Sequence, residues 1–587
     1  MKFKRLFLRY SLNFQKLKIK LYNLETDDFQ KAYIVVSKRL YRVVHLRNLV
    51  IFCLVFLVIV FSMFLSSFKT LGTYYKKDEP FIGGVYSEGS MGQFLLLNPL
   101  YSVTNQNDAD AADLIFSGLM KHDQGKNIVP DMASKWSLSK DEKTYTFNIK
   151  RGVKWQDGKP FTADDVMFTI QTIQNPDAKS SLYETWKGVK LAKTGDYEVK
   201  FILGAPDKSF LENTTLGIIP QHILSGVPAA DMQTVDFNTA PIGTGPYKFE
   251  SMDKEPGKET LVLNTNSYYY SKKPYINKVV MESFLDSREM LDEYHKRNIL
   301  AIANPNQSLV TKLKNDQTTN IHTYTLPRYV AAFFNVDNKF LNDKNLRLVI
   351  SKAVDRKVMI DRATNGEGLA VYSPFAYGPS GQDSQNVKTN VEEAKKVLDN
   401  AGYKLNHNKL SLKGDSLKLR IVTEETDELE KTAQVFQEEL KSLGIDSEIQ
   451  TADMNNLQNN YLRPRNYDIL ILGENSGLYG GLFSFWHSSQ VQDPGLNFSK
   501  YKSPALDKFL EILRTTNNPV EKQKMLTDID NIFKEDNPAV YLYNPFYDFI
   551  VSDKVKGIQD GKLVVPTDRL NEIENWYLKF HAVSIDG

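Results

Sequence analysis

Cysteine is nearly absent from this chain of 587 residues, which contains one, and histidine is scarce, with eight. A single cysteine excludes a disulfide framework and any cysteine-rich zinc or iron–sulfur site. Repeats and low-complexity tracts are absent too, and 42% hydrophobic with 25% charged residues are ordinary globular values. The composition argues against a disordered, collagenous or polytopic membrane protein. The length predicts about four domains at roughly 150 residues each.

A large excess of charge of one sign is also lacking overall, but the charge is unevenly distributed. Residues 1–47 hold 12 Lys/Arg and 3 Asp/Glu, a net charge of +9, so the remaining residues carry −7 of the overall +2. An acidic body argues against nucleic acid as a partner, because a phosphate backbone attracts positive charge. The basic end therefore needs its own explanation.

One long hydrophobic run follows the basic end. Leu49–Phe68 contains 20 residues without a charge, and as a helix it would span about 30 Å, the thickness of a bilayer core. Arginines crowd its N-terminal flank, and such an excess marks the cytoplasmic side of a membrane. The sequence predicts a cytoplasmic segment at 1–47, a single-pass membrane anchor at 48–69 that contacts the lipid bilayer, and a large extracytoplasmic part, extracellular or periplasmic.

A cleaved signal peptide is the rival interpretation of this run. Its apolar region would be about 7–15 residues long, with small residues at the cleavage site. The run here is longer, begins later and ends in Ser66-Ser67-Phe68-Lys69, which favours an uncleaved anchor. Cys53 could indicate a lipoprotein, but it follows bulky residues, whereas lipid-modified cysteines follow small ones.

Hydrophobic periodicity predicts an α+β unit early in the acidic part. Thr144–Ile149 alternates as a half-buried strand, and Val153–Trp155 forms a short strand between turn signals. Thr162 precedes Asp165 by three residues, which is the spacing of a capping box at the start of a helix.

An α/β unit is predicted farther along the chain. Strands and helices alternate in the order Leu417–Val422 (strand), Glu428–Leu443 (helix), Ile445–Gln450 (strand), Met454–Leu462 (helix) and Tyr467–Leu472 (strand). Ligands of such domains usually bind at the carboxyl ends of the strands. The loop Gly473–Trp486 leaves from such an end, so it is the first candidate site.

Four segments carry a resemblance to a known family. Asp131–Val166 contains a tryptophan, a TYTF strand, a basic-Gly turn, an aromatic-x-Asp-Gly turn and a T-A-x-D-V helix start. The others are Pro241–Phe249 (PIGTGPYKF), Phe333–Gly366 with its R-x-x-x-x-K-A-x-D-R helix, and Trp486–Tyr501 (WHSSQ…NFSKY). In this order they resemble the peptide-binding (family 5) solute-binding proteins of ABC importers, of the oligopeptide-, dipeptide- and nickel-binding type.

The resemblance implies an α/β, two-lobed periplasmic-binding-protein-like fold with hinged lobes and an extra α+β domain, here preceded by one N-terminal transmembrane helix. By analogy, the first lobe consists of Phe81–Ser117, Gly188–Pro327 and Tyr541–Gly587. Gly118–Lys187 forms the extra domain and Arg328–Ala539 the second lobe.

The implied function is that of an extracytoplasmic substrate-binding subunit of an ABC transporter. Such a monomer captures short peptides between its lobes and delivers them to permease subunits with cytoplasmic ATPases. No enzyme, catalytic residue or cofactor is expected, and the sequence has no G-x-S-x-G, H-E-x-x-H or kinase motif set. An alternative stays open, a membrane-tethered ligand sensor or peptide chaperone without transport, in which the basic cytoplasmic segment would have a purpose.

Ligand contacts are expected in and around the loop Gly473–Trp486. Relatives often carry an acid there that holds the α-ammonium group of the ligand, and Gly477–Gly481 (GLYGG) lacks it. Glu474 takes this role from a shifted position, or backbone groups and aromatic rings hold the ligand, or the ligand lacks a free amine. Arginines before the strand could pair with a ligand carboxylate. The expected ligand-binding residues are Glu474, Asn475, Tyr479, Phe483, Phe485, Trp486, His487, Arg463, Arg465 and Asn335. One imidazole, that of His487, does not make a metal site, so no metal is expected.

Overall fold

A computed structural model of the chain describes residues 30–31, 33–41, 46, 51–52, 54–63, 76–123, 127–375, 391–407, 409–475, 481–516, 518–559, 561 and 563–584. The chain divides into two compact units, one of Met1–Glu79 with Phe580–Gly587 and one of Pro80–Lys579.

The first unit contains the described part of the predicted anchor. Ile51, Phe52 and residues 54–63 are helical, and their large apolar side chains are exposed. Among the residues that the structure describes, no helix is both long and apolar enough to span a bilayer. The rest of the run, including Cys53, and most of the predicted cytoplasmic segment lie outside the described residues. A two-stranded sheet pairs Lys76–Pro80 with Phe580–Ser584.

A seven-stranded mixed sheet forms one half of the second unit. Its strand order is Thr319–Tyr324, Tyr547–Ser552, Ala301–Ala303, Val85–Met91, Lys278–Phe284, Lys258–Thr265 and Tyr247–Glu255. Val85–Met91 runs parallel to both of its neighbours, and the other pairs are antiparallel. Residues of the helices Ser287–His295 and Gln307–Leu313 form an apolar cluster with this sheet.

A six-stranded mixed sheet forms the other half. Its order is Gly368–Ala370, Ala539–Pro545, Arg328–Phe334, Ile469–Asn475, Lys418–Glu424 and Asp446–Ala452. Helices cover both faces, because Ile469 and Ile471 belong to one apolar cluster and Leu470 to another. The helices of this half are Lys344–Ala353, Arg356–Ala363, Val391–Asn400, Asp427–Ser442, Met454–Asn456, Gly481–Trp486, Pro504–Thr515 and Pro519–Asp536, with a π-helical segment at Leu457–Leu462.

A four-stranded antiparallel sheet forms a smaller layer. Its order is Ala133–Leu138, Thr144–Ile149, Glu198–Ile202 and Lys190–Gly195. The helix Ala163–Gln174 packs beside it and begins at the expected capping box of Thr162 and Asp165. The remaining helices of the unit are Gln106–Ile115, Tyr183–Trp186, Phe210–Asn213 and Gln221–Leu224. Two small sheets pair Met120–His122 with Ile128–Pro130, and Tyr403–Asn406 with Lys409–Leu412 and Asp415–Ser416.

The α/β order predicted from periodicity is confirmed. Lys418–Glu424 is parallel to both Asp446–Ala452 and Ile469–Asn475, and Asp427–Ser442 is helical. The strand at Thr144–Ile149 is confirmed as well. The predicted short strand at Val153–Trp155 is reduced to one bridge between Lys154 and Pro160.

Two predicted domain boundaries differ from the sheet topology. Lys190–Gly195 and Glu198–Ile202, which the prediction assigns to the first lobe, complete the four-stranded sheet with Ala133–Leu138 and Thr144–Ile149. Ala539–Pro545 is a strand of the six-stranded sheet, so the chain leaves that half after Pro545 rather than after Ala539. Motifs locate segments, whereas strand pairing decides which sheet a segment joins. The division into two lobes and an extra domain remains a prediction.

Candidate functional site

Glu474 lies in a strand rather than in a loop. The strand Ile469–Asn475 continues beyond the predicted end at Leu472, which places Glu474 directly opposite Tyr329 on the neighbouring strand. The Tyr329 hydroxyl donates a hydrogen bond of 2.8 Å to Glu474 Oε2. The Glu474 residue is only 5% exposed, and burial raises the pKa of its carboxyl well above the ordinary value. As an amine anchor Glu474 stays a prediction, but this setting favours an uncharged carboxyl in the core.

The predicted aromatic residues gather beneath the six-stranded sheet. Trp486 is fully buried, and its ring centroid lies 4.8 Å from that of Phe533 in an edge-on contact. Phe483 stacks on His487 with ring centroids 4.2 Å apart. The ring centroids of Phe485 and Phe498 lie 6.3 Å apart. These rings pack against one another as a core does. Tyr479 lies outside the described residues.

The predicted polar residues mostly hold backbone groups. Arg465 is 7% exposed and donates hydrogen bonds to the carbonyls of Leu462 and Gly495. Asn335 Nδ2 donates to the carbonyls of Arg465 at 3.3 Å and Tyr467 at 3.0 Å. The guanidinium of the exposed Arg463 reaches Asn459 on its own helical segment at 3.1 Å. In this structure Arg465 and Asn335 brace the turn before the strand Ile469–Asn475.

A cavity of about 450 Å³ opens at the carboxyl end of that strand. Asn475 lines it from the six-stranded sheet, and no other predicted ligand-binding residue that the structure describes does so. The opposite wall comes from the other half, through the helix Gln106–Ile115 and residues 116–122, 215–217 and 565–574. The position agrees with the expectation that ligands of α/β sheets bind outside the carboxyl ends of strands.

Five carboxylic acids and two basic residues line this cavity. They are Asp113, Asp131, Asp568, Glu572, Glu574, Lys121 and His122. The balance is acidic, which matches the net charge of the chain beyond residue 47. Within the described parts of the chain, no group of His, Cys, Asp and Glu has an arrangement that could hold a metal ion.

Among the acids of this cavity, Asp113 has a carboxyl pKa that is strongly raised from its ordinary value. Asp113 lines the cavity, and although the residue is exposed, neighbouring protein atoms desolvate its carboxyl. Burial, reinforced by the charges of Asp568, Asp110 and Asp131, raises the pKa of the Asp113 carboxyl to about 7. Asp113 therefore titrates near neutral pH, where small changes in its surroundings alter its charge.

Asp568 is already engaged by the protein. Its Oδ2 accepts hydrogen bonds from the backbone amides of Val564 at 2.7 Å and Val565 at 3.0 Å. Its Oδ1 lies 3.1 Å from His122 Nδ1. Burial opposes the charged imidazole, but the hydrogen bond and charge of Asp568 outweigh it and raise the pKa of His122 above its ordinary value. This pair fixes the wall of the cavity rather than offering a free charge.

A buried ion triad fastens the C-terminal wall. Arg569 Nη2 contacts Glu88 Oε1 and lies 2.7 Å from Asp110 Oδ2, and all three side chains are almost completely buried. Gln106 Nε2 links the same region, donating to Asp110 Oδ1 at 2.7 Å and Thr567 Oγ1 at 3.0 Å. The triad holds residues 565–574 against the helix Gln106–Ile115, which positions the acids of both segments around the cavity.

A comparison with protein-family profiles identifies the family of this chain. The profile described as "Bacterial extracellular solute-binding proteins, family 5 Middle" matches residues 127–493. The chain belongs to this family. The chain is 29% identical over 514 residues to the oligopeptide-binding protein AppA of Bacillus subtilis, covering 85% of this chain and 92% of AppA.

Solved structures agree with this family membership. AppA of Bacillus subtilis in complex with a nonapeptide matches with a TM-score of 0.70 at 28% identity, over 85% of this chain and 100% of that one. The ABC transporter substrate-binding protein CtaP of Listeria monocytogenes matches with a TM-score of 0.71 at 25% identity, over 86% and 100%. NikZ of Campylobacter jejuni in complex with Ni(L-His) matches with 0.69 at 25%, over 84% and 99%. The family 5 resemblance and the α/β periplasmic-binding-protein-like fold are confirmed.

Sequence reasoning missed the acids of the cavity. Asp113 lies in the helix Gln106–Ile115, Asp131 follows the strand Ile128–Pro130, and Glu574 lies in a 3₁₀ turn near the C-terminus. No local motif joins them. Asp131 opens the segment that carries the family resemblance, but the turns and the tryptophan of that segment give no indication that its carboxyl lines a cavity. The acidic balance of the chain beyond residue 47 is the one signal that pointed toward such a wall.

Proposed function

We propose that this protein is the extracytoplasmic substrate-binding subunit of an ABC transporter, which captures short peptides between two hinged lobes and delivers them to a permease with cytoplasmic ATPases. One observation carries the proposal. A ligand-sized cavity opens at the carboxyl end of the strand Ile469–Asn475 and is walled on the other side by the helix Gln106–Ile115 and the C-terminal segment, in a family 5 solute-binding chain. A relative with this fold, AppA, has been solved with a nonapeptide. A short peptide segment fits a cavity of about 450 Å³.

Two short crossovers between the sheets support a hinge. The chain passes from the strand Thr319–Tyr324 to Arg328–Phe334, and from Ala539–Pro545 to Tyr547–Ser552. Arg328 Nη2 donates to the carbonyls of Pro545 and Phe546 at 3.3 and 3.1 Å. Short paired crossovers allow rotation of one half against the other while restricting its axis. A ligand that contacts both walls shifts the population toward the closed form.

The membrane anchor belongs to this proposal. The uncharged run Leu49–Phe68 is long enough to cross a bilayer, and the net charge of +9 before it favours a cytoplasmic N-terminus. A tether at 48–69 would keep the monomeric binding domain beside its permease. Among the predicted ligand-binding residues, the proposal relies most on Asn475, because it lines the cavity.

A sensor or peptide chaperone on the same fold is the second candidate. The observation that favours it is the basic segment of residues 1–47, since a pure import subunit needs no segment inside the cell. Affinity purification of the full-length protein from membranes separates the two functions. Import predicts that permease and ATPase subunits co-purify, and their absence beside a stable complex with a signalling protein would favour the sensor.

Ligand binding is tested with the full-length protein in lipid nanodiscs. Native mass spectrometry identifies ligands that co-purify, and calorimetry with a library of peptides measures affinity. We expect peptides to co-purify and to bind, and Asn475→Ala to weaken binding. The variant Asn459→Ala, at an exposed position that does not line the cavity, serves as the control. No binding by any peptide would refute the proposed function.

A further inference from the structure

Glu574 differs from the other acids of the cavity. It is 9% exposed, yet among the described residues no side chain or backbone group forms a hydrogen bond or ion pair with its carboxylate. It nevertheless lines the cavity. Burial of a carboxylate without a partner is unfavourable. The Glu574 carboxylate oxygens can therefore form a hydrogen bond or an ion pair with a ligand in the cavity.

The backbone around Glu574 is firmly held. Glu574 lies in the 3₁₀ turn Ile573–Asn575, between the buried side chains of Ile573 and Trp576. Glu572, just before the turn, accepts a hydrogen bond of 3.0 Å from Asn575 Nδ2. Trp576 packs edge-on against Tyr86 with ring centroids 5.5 Å apart. The Glu574 side chain is thus presented from a rigid base, which lowers the entropy lost on binding.

Asp131 and Tyr269 lie close enough to sense the Glu574 charge. Burial raises the pKa of Asp131, and the charge of Glu574 adds to that increase. The same two causes, with the charge of Asp131, raise the pKa of the Tyr269 hydroxyl. Asp131 is 8% exposed and keeps one hydrogen bond, accepted from the Tyr270 hydroxyl at 2.7 Å. Two buried carboxyl groups and an aromatic ring therefore face one region of the cavity.

The basic residues of the cavity do not neutralise this region. His122 is held by Asp568. Lys121 lowers the pKa of both Asp113 and Asp131, but burial and neighbouring acids outweigh it at each. Among the described residues, Asp113, Asp131 and Glu574 form no ion pair, although the charge of Lys121 acts on Asp113 and the charges of Lys121 and Lys150 act on Asp131. An aromatic ring next to carboxylates is a setting that binds ammonium and guanidinium groups.

We propose that the transported ligand carries a cationic side chain, lysine- or arginine-like, and that Glu574 with Asp131 binds this group in the cavity. The inference rests on the proposed function and specifies its substrate class. Glu574 supplies the ion pair, Asp131 supplies a second acceptor, and Tyr269 provides a face for the cation. A neutral or acidic group at this position would leave the Glu574 carboxylate buried without a partner.

The test compares matched peptides on the full-length protein in nanodiscs. The peptides are a tripeptide with a central lysine, the same tripeptide with norleucine, which keeps the length without the charge, and one with glutamate. Calorimetry should show the lysine peptide binding at least tenfold more tightly than the norleucine peptide, and the glutamate peptide binding most weakly. Equal affinity of lysine and norleucine peptides would overturn the cationic inference and leave the peptide-binding function standing. No binding by any peptide would overturn both.

The variant Glu574→Gln tests whether this side chain causes the preference for the lysine peptide. Glu574→Gln should reduce the preference for lysine over norleucine by about tenfold, which is the measure of coupling between this side chain and the charge. The matched control Glu293→Gln removes the same charge from a carboxylate that does not line the cavity and already pairs with Lys296, and it should leave the preference intact. An unchanged preference in Glu574→Gln would show that the cation binds elsewhere. If Glu574→Gln fails to fold, the wild-type peptide comparison alone decides the inference.

Discussion

Arg514 Nη2 lies 2.5 Å from Asp207 Oδ2, so the helix Pro504–Thr515 is joined to the segment that follows the strand Glu198–Ile202. The Lys208 amide donates to the Arg514 carbonyl at 3.2 Å beside this pair. The guanidinium also lies 4.5 Å from the centroid of the Phe483 ring. These contacts connect the four-stranded sheet region with the six-stranded sheet region, away from the short crossovers.

The contacts of Arg514 with Asp207 and Phe483 should favour the closed arrangement of the two halves. Arg514→Ala removes the ion pair and the ring contact, which for a partly exposed pair contribute about 0–1 kcal/mol. We expect a small decrease in unfolding temperature, a larger radius of gyration without ligand, and several-fold weaker peptide binding. Small-angle scattering and calorimetry measure these changes. Arg362→Ala, which removes an exposed ion pair with Glu438, is the control, and identical behaviour of the two variants would contradict a role in closure.

Glu474→Gln tests whether this carboxyl is a core group or an amine anchor. Because burial favours its protonated form, glutamine closely imitates the native state and can still accept the Tyr329 hydrogen bond. We expect unchanged peptide affinity. If Glu474 binds the α-ammonium group, the same substitution should instead weaken binding by about tenfold to a hundredfold, and N-acetylated peptides should lose no further affinity in the variant.

The free energy of unfolding should depend on pH because of the Glu474 carboxyl. A folded pKa raised above the ordinary value near 4.5 gives a stabilising contribution that is complete below that pH and is lost as the pH rises toward the folded pKa. The free energy of unfolding of the wild type, relative to Glu474→Gln, should therefore fall between pH 4.5 and pH 8. Urea titrations at several pH values measure it. A constant difference across this range would show that the Glu474 pKa is not raised.

Ligand binding should depend on pH through Asp113. Its pKa of about 7 reflects burial and the charges of Asp568, Asp110 and Asp131, opposed by Lys121. A cationic ligand favours the ionised carboxylate, so it lowers this pKa, releases a proton and binds more tightly as the pH rises from 6 to 8. Calorimetry in buffers of different ionisation enthalpy detects the proton. Asp113→Asn should abolish the release, and proton uptake on binding of the lysine peptide would contradict the prediction.

The buried triad should be strongly cooperative. Arg569→Met leaves Glu88 and Asp110 as uncompensated buried charges, and breaking a buried pair in this way destabilises by about 3–5 kcal/mol. Replacing all three with Met, Gln and Asn should recover most of that loss. Denaturant unfolding measures each variant, with Arg362→Met on the exposed pair with Glu438 as the control. Additive effects of the three substitutions would refute the coupling.

The sequence predicted those parts of the fold that depend on local pattern. The helix expected at Glu428–Leu443 is Asp427–Ser442, because its apolar spacing and its capping threonine act within one segment. The role of Glu474 was harder to predict. Helices cover both faces of the six-stranded sheet, so alternation along a strand does not tell which side chain faces a core and which faces a cavity.

The acids of the cavity depend on contacts that no local pattern contains. Asp113, Asp131 and Glu574 come from three separate segments, and the seven-stranded sheet and the buried triad bring them together. Their types are visible in the sequence, but their proximity is not. The membrane anchor is the opposite case, since its prediction rests wholly on one continuous run and remains a prediction.

Glu88 and Arg569 are in contact although they lie 481 positions apart in the sequence, and this separation delays completion of the fold. The strand Val85–Met91 leaves a ribosome early, but its sheet also needs Tyr547–Ser552, and its buried carboxylate needs an arginine near the end of the chain. The sheet is therefore completed only when almost the whole polypeptide has been made. The early strand can pair with Lys278–Phe284 and Ala301–Ala303 once these are made, but the triad and the C-terminal wall of the cavity are completed last.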